Sequence, residues 1–182
     1  VYLKMHGSIA GFLKTKSRFW RLLQRRVFKM AANIGVLSHE ERELFLAAGC
    51  PANKLTLVKN AFKPEEFEYD RQFRHRMNVD DETPILLFSS RLLLTKGLLD
   101  VIVACSELKK TERKFTLFCL GDGPVLAEAK ELVNKLDLND HVRFTGQISE
   151  EETTAVHANS TVFVFPTYHD EGFPLVLLKS LA

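Results

Sequence analysis

The sequence predicts an α/β fold in which βαβ units build parallel sheet, and three observations carry that expectation. Short runs of β-branched or aromatic residues alternate with amphipathic stretches of helical length. Helix starts carry capping signals at the positions where the periodicity changes. The periodicity fails between Asn60 and Thr83, which divides the alternation into two groups and sets a domain boundary there. Hydrophobic residues are 46% of the 182-residue chain and charged residues 26%, the balance of a body that buries a core.

In the first group, strands are expected at Val1–Lys4, Asn33–Leu37 and Leu55–Val58, with helices at Lys16–Ala31 and Ser38–Ala48. Ser38 is followed three residues on by Glu41, the spacing of a capping box. On the helix Lys16–Ala31, Arg18, Arg21, Arg25 and Lys29 recur at spacings of three and four and share one face. Phe19, Leu22, Leu23, Val27 and Met30 lean to the other side. This is either a solvated face over a packed one or a surface that docks on anionic lipid, and Trp20 beside the basic stripe fits both. In the second group, strands are expected at Pro84–Ser89, Lys114–Leu120, Val142–Thr145 and Thr161–Phe165. Helices are expected at Gly97–Lys109, Pro124–Leu136, Glu150–Ala158 and from Pro174 to the end. Ser149 precedes Glu150, Glu151 and Glu152, acids that suit the first turn of a helix. The stretch between the groups is crowded with charge, aromatic residues and Pro64.

The net charge of +2 conceals an asymmetry. Residues 1–39 hold eight Lys or Arg and no acid, leaving 17 basic against 23 acidic side chains in the remainder. Such a basic region suits nucleic acid, an anionic membrane surface or an acidic substrate, and charge alone does not choose. Cys50, Cys105 and Cys119 are odd in number and far apart, which fits reduced, buried thiols and a cytosolic protein. No apolar run approaches the roughly 18 to 20 residues of a bilayer-spanning helix, and Val1 to Gly11 lack a signal-peptide layout.

The residues best placed for chemistry follow predicted strands, because ligands of a parallel sheet sit at its carboxyl edge. After the last strand come Pro166, a polar loop Thr167 to Asp170, then Glu171, Gly172, Phe173 and Pro174 opening an apolar helix. Free amides at such a helix start attract phosphate or sugar oxygens; the alternative is an ordinary turn with a capping Glu. After the strand ending at Ser89 come Arg91, Lys96 and Gly97. These two cations are either a clamp for a diphosphate or solvated charges of a βα loop. Gly121-Asp122-Gly123-Pro124 permits a tight turn but lacks the full dinucleotide fingerprint. His6 follows the first strand, where a structural role competes with a catalytic one. No spacing suits a metal site or a Gly-x-Ser-x-Gly elbow.

Together these pieces resemble the group 1 glycosyltransferases of GT-B fold, which are mostly retaining enzymes. The resemblance is carried by His6-Gly7, the run from Ala31 to Phe67 with Val58-Lys59-Asn60, and Ser90-Arg91 through Lys96-Gly97. It continues through Leu120-Gly121-Asp122-Gly123-Pro124, Val142 to Gly146, and Phe165-Pro166 through Glu171-Gly172-Phe173-Pro174-Leu175-Val176-Leu177-Leu178. Tyr168-His169 before Glu171 looks most like bacterial enzymes of surface-polysaccharide synthesis. The resemblance implies two Rossmann-like domains. Residues 1–60 are the last part of the acceptor-side domain, 61–82 a linker, and 83–182 a truncated donor-binding domain. The chain is therefore expected to lack both ends of the protein and full activity by itself. It implies hexose transfer, with retention, from a UDP- or GDP-sugar to a glycan or lipid-linked acceptor. It further implies that Arg91 and Lys96 hold the diphosphate, that Glu171 with the following Gly172, Phe173, Pro174 and Leu175 meets the sugar, and that Gln147 and Ile148 face the base. Gly121 and Gly123 line the same donor site, and His6 lies across the cleft near the reacting centre. No metal, cofactor or nucleic acid is implied. The expected location is the cytoplasm, with docking on the inner membrane face through Arg18, Arg21, Arg25 and Lys29.

One departure stands out. Similar enzymes carry a second glutamate eight residues after the first, which grips the ribose diol, and here that position is Lys179. An ammonium only donates hydrogen bonds. A weakened or altered donor, or a degenerate, binding-only domain, is the alternative this motivates; a nucleotide-sugar epimerase is a more distant one.

Overall fold

The computed structural model describes residues 2–4, 13, 17–58, 70, 72–168 and 174–181. The chain divides into two compact units, one gathering residues 1–61 and 170–175, the other 62–169 and 176–182.

The first unit is a three-stranded parallel sheet of order β1-β2-β3, formed by Tyr2–Lys4, Asn33–Val36 and Leu55–Leu57. The central strand buries Ile34 and Val36 completely. Helix α1 (Arg18–Met30) sets Phe28 against this core, and helix α2 (His39–Ala47) adds Phe45, whose ring lies 5.8 Å from that of Phe28. The capping signal at Ser38 is realised: its hydroxyl accepts from the Glu41 amide at 3.0 Å, and the Glu41 carboxylate accepts from the Leu37 amide. The carboxyl end of α1 is closed by a distant residue. The Lys54 ammonium donates to the carbonyls of Phe28, Lys29 and Ala31 at 2.8 to 2.9 Å, satisfying groups a helix end leaves open.

On α1 the apolar set does not pack as expected. Gln24 and Phe28 are the buried residues, whereas Phe19, Leu22 and Met30 are 69%, 67% and 74% exposed, and Trp20 and Leu23 are exposed as well. A helical wheel fixes which residues share a face; which face meets the core depends on the sheet beneath, and here it admits the Gln24–Phe28 side.

The second unit is a four-stranded parallel sheet of order β6-β5-β4-β7, formed by Ile85–Ser89 (β4), Thr116–Leu120 (β5), Val142–Gly146 (β6) and Val162–Phe163 (β7). Every residue of β5 is buried, as befits a strand covered on both faces. On one face, Phe88, Leu117 and Cys119 pack with Leu98, Val101, Ile102 and Cys105 of α4 (Leu98–Lys109) and with Ala129 and Val133 of α5 (Leu126–Lys135). On the other, Ile85, Leu87, Phe118 and Leu120 pack with Phe73 of α3 (Phe73–Arg76) and Val156 of α6 (Glu150–Asn159). Ser149 and Glu152 complete a reciprocal capping box at the start of α6.

The core of this unit begins earlier in the chain than residue 83. Within the stretch expected as linker, 61–82, Phe73 and Val79 are buried in the sheet core and the Phe73 ring lies 6.0 Å from that of Phe118, tilted against it. Four helical residues carry too little periodicity to announce themselves. Strand β7 is shorter than the expected Thr161–Phe165 because the chain leaves the sheet after Phe163, with only Val164 still donating to Leu87.

The three cysteines are unpaired and buried, as expected. Among the described residues no helix is long and apolar enough to cross a membrane, and no cluster of His, Cys, Asp and Glu is arranged to hold a metal.

Candidate functional site

Strand order dictates where the second unit can bind a ligand. The chain runs from β4 outward to β5 and β6, then α6 carries it back across the sheet to β7 on the other side of β4. The order reverses direction at β4, and ligands of such open parallel sheets bind at the strands' carboxyl ends.

The carboxyl ends of β4, β5 and β6 enclose a pocket of about 330 Å³ lined by Arg91, Gly121, Gln147 and Ile148 together with Ser90 and Thr153. Four of the residues singled out from the sequence thus meet. Its floor is stitched by backbone bonds: Ser90 donates to Leu120, Leu92 to Asp122, and Gly121 to Gly146. Gly121 needs to be glycine, since its φ is +118° and a Cβ would collide with the Ser90 carbonyl. Gly123 stands behind the pocket, its amide donating to the Asp122 carboxylate at 2.7 Å. A larger cleft of about 440 Å³ lies over the face beneath α3 and α6. There Arg143 is committed to structure, bonding to the carbonyls of Met77 and Asn78 and lying over the Phe118 ring.

Lys96 is not part of the pocket lining. It is buried, with its ammonium 5.8 Å from the centre of the Phe165 ring, on the β7 side of the same edge. Here the segment leaving β7 lies along the turn leaving β4. Gly97, at φ +77°, passes so close to Pro166 that a Cβ would collide with its carbonyl. The Tyr168 amide donates to Thr95 at 2.8 Å, and the Tyr168 hydroxyl donates to the Asp100 carboxylate at 3.0 Å. That carboxylate pushes the Tyr168 phenol above its ordinary range. Arg91 thus lines the pocket at the ends of β4, β5 and β6, whereas Lys96 is buried beside Phe165.

Pro174 immediately precedes the short helix α7 (Leu175–Ser180), and Leu175 is its first residue. Lys179 on that helix is ion-paired with Glu150, the first residue of α6. Its positive charge therefore has a carboxylate beside it. On the next residue, the Ser180 hydroxyl lies 2.9 Å from Nδ1 of His157 and also donates to Val176. Nε2 of His157 is buried and has no hydrogen-bond partner among the described residues. Burial, reinforced by the nearby Lys179 cation and opposed by Glu150, lowers the His157 pKa to about 4. His6, Glu171, Gly172 and Phe173 lie outside the described residues.

Sequence reasoning missed Ser90, Thr153, Asp100, Glu150 and His157. Ser90 follows β4 directly and was open to the same logic that picked Arg91. Thr153 enters by lining the pocket from α6, and Asp100, Glu150 and His157 are brought in by pairings across long separations that no local pattern encodes.

The family profile described as "Glycosyl transferases group 1" matches residues 70–182. Alpha-monoglucosyldiacylglycerol synthase of Streptococcus pneumoniae is 34% identical over 112 residues, covering 62% of this chain and 25% of that protein. Alpha-D-kanosaminyltransferase of Streptomyces kanamyceticus is 27% identical over 186 residues, covering 99% of this chain and 47% of that protein. Among solved structures, Anabaena HepE in complex with UDP and glucose superposes with a TM-score of 0.82 at 17% identity, covering 99% of this chain and 50% of that one. The fold is shared with HepE, and the chain spans half or less of each of these proteins.

Proposed function

The chain belongs to the group 1 glycosyl transferases, and from that premise we propose that the whole protein moves a hexose from a nucleotide-diphosphate sugar, UDP- or GDP-linked, to a glycan or lipid-linked acceptor with retention of configuration. The observation that carries this reading is the 330 Å³ pocket at the carboxyl ends of β4, β5 and β6, where Arg91 meets Gly121, Gln147 and Ile148. A parallel sheet offers backbone amides and helix N-termini at that edge, the groups that receive phosphate. The co-structure of HepE with UDP and glucose supports a uridine donor, and the names of the bacterial relatives support transfer of a sugar and, for the diacylglycerol synthase, a glycolipid.

In this reading residues 1–60 serve the acceptor side and the second unit binds the donor. The nucleotide occupies the pocket, its base against Gln147 and Ile148. The diphosphate is assigned to Arg91 and Lys96, the sugar to Glu171 and the amides through Leu175, and His6 to the reacting centre. Bond cleavage moves the electron pair of the C1–O bond onto the leaving diphosphate oxygen. Positive charge held in place before the reaction stabilises that developing charge, because no reorganisation is needed as it appears. The acceptor hydroxyl attacks C1 from the face the leaving group quits, and its proton passes to the departing phosphate. Lys179, paired with Glu150, stands at the ribose end of this site as a donor rather than an acceptor of hydrogen bonds.

The acceptor's setting follows from α1. Its exposed apolar side chains and its arginines suit an anionic leaflet on the cytoplasmic side.

Arg91→Ala with Lys96→Ala in the full-length protein is expected to abolish sugar transfer, and Arg91→Ala alone, at the exposed pocket wall, to lower it while leaving the thermal midpoint near that of the parent. A calorimetric screen of UDP, GDP and their sugars names the donor. Wild-type turnover in the double variant would falsify the assignment of these two cations.

A further inference from the structure

We propose that Asp122 is a specificity-determining residue: its carboxylate takes the vicinal hydroxyls of the nucleotide's ribose, between the base and the diphosphate, an assignment that rests on reading this pocket as the donor site.

The order of the strands gives the first argument. β5 lies between β4 and β6 in the sheet, so the turn leaving β5 stands between the turns leaving its two neighbours. Adjacent strands are about 4.8 Å apart, which spreads the three exits over roughly 10 Å of the sheet edge. Arg91, given to the diphosphate, follows β4, and Gln147 and Ile148, given to the base, follow β6. Asp122 follows β5 and lines the same pocket. In a nucleotide the ribose joins the base to the phosphates. A ligand laid in this order presents its ribose to the turn that holds Asp122.

The chemistry of the lining gives the second. Of the described residues around the pocket, Arg91 is the one cation and Asp122 the one anion. A carboxylate repels phosphate and only accepts hydrogen bonds, so it matches the hydroxyl protons of a ligand. Asp122 is also held in place before any ligand arrives. Its carbonyl accepts from the Leu92 amide at 2.9 Å, and its Oδ1 accepts from the Gly123 amide at 2.7 Å. Oδ2 has no hydrogen bond among the described residues. An acceptor fixed in this way gives up little freedom on binding. Lys179, by contrast, offers only donors and has its charge met by Glu150, so the protons of the diol need an acceptor elsewhere.

The test is calorimetry on the full-length protein. The parent is expected to bind UDP or GDP about ten- to hundredfold more tightly than the 2′-deoxy nucleotide, the range for a hydrogen bond to a charged group. Asp122→Asn keeps the oxygen that Gly123 needs and removes the charge. It is expected to weaken UDP or GDP about tenfold and to bring the preference for ribose within about threefold. Inorganic pyrophosphate, which has no ribose, should bind this variant as well as the parent or better, because a repelling anion has gone. A carboxylate that merely faced solvent would give that same sign for the nucleotide. Unchanged or tighter nucleotide binding in Asp122→Asn therefore overturns the assignment. So does a preference for ribose that survives the substitution, since the carboxylate would then serve the base. A parent that binds UDP or GDP but ignores the 2′ hydroxyl overturns it too, and leaves the donor pocket standing. If neither nucleotide binds the parent, the donor-site reading itself fails and this assignment goes with it. Thermal midpoints check that Asp122→Asn keeps the fold; should it not, the parent's choice between ribose and 2′-deoxyribose decides alone.

Discussion

His157 shows how a single side chain can set the acid limit of the fold. It is buried between α7 and β7, bonded to Ser180 and tilted against the Phe163 ring, and its pKa falls from 6.5 to about 4. Between those values the unfolded chain binds a proton that the native state refuses. Stability is therefore fully present above about pH 6.5 and is lost as the pH falls through 4. Thermal midpoints measured from pH 7 to pH 4 should fall across that window, and His157→Gln should flatten the decline; an unchanged slope would show that His157 is not its source. This residue gave no signal in the sequence, since its burial depends on a helix arriving 23 residues later. Arg91 and Gly121 were legible for the opposite reason: each follows a strand closely, and strand ends in a parallel sheet converge on one edge. Gln147 and Ile148 came from the family resemblance alone. Lys179 was legible as a departure, but its partner Glu150 was not, because the pair spans 29 residues.

Among the elements, α1 is where sequence and structure part most sharply. The wheel that put Arg18, Arg21, Arg25 and Lys29 on one face was sound, but the apolar side chains beside them face outward. Leu22 and three of the arginines frame a cleft of about 240 Å³ on this surface. A stripe of cations bordered by Phe19, Leu22 and Met30 matches a leaflet that offers both headgroup charge and acyl chains. Full-length protein mixed with phosphatidylglycerol vesicles is expected to show co-sedimentation that phosphatidylcholine vesicles do not produce. Arg21→Gln with Arg25→Gln should weaken binding roughly thirtyfold, taking about 1 kcal/mol for each cation. The attraction should also fade as salt is added. Equal binding to neutral vesicles would refute the charge argument. Other elements were read nearly to the residue, because βαβ chains switch periodicity at every boundary; α3 escaped at four residues long.

At the scale of the molecule, the sequence announced parallel sheet and two groups of elements, but not strand order, which depends on how each crossover packs. That order carries a consequence for breathing motions. Strand β5 lies between two partners and is buried throughout, whereas β7 is two residues long, borders β4 alone among the described strands and leaves Val162 half exposed. Opening is expected to begin at such a margin and reach the middle strands last. In deuterium exchange, the amides of Thr161 and Val164 should therefore label well before those of Phe118 and Cys119, and uniform labelling across the sheet would contradict this ranking. A sheet ordered this way keeps its centre closed longest while letting one border loosen first, and on the proposed donor assignment that border leads to the segment given to the sugar.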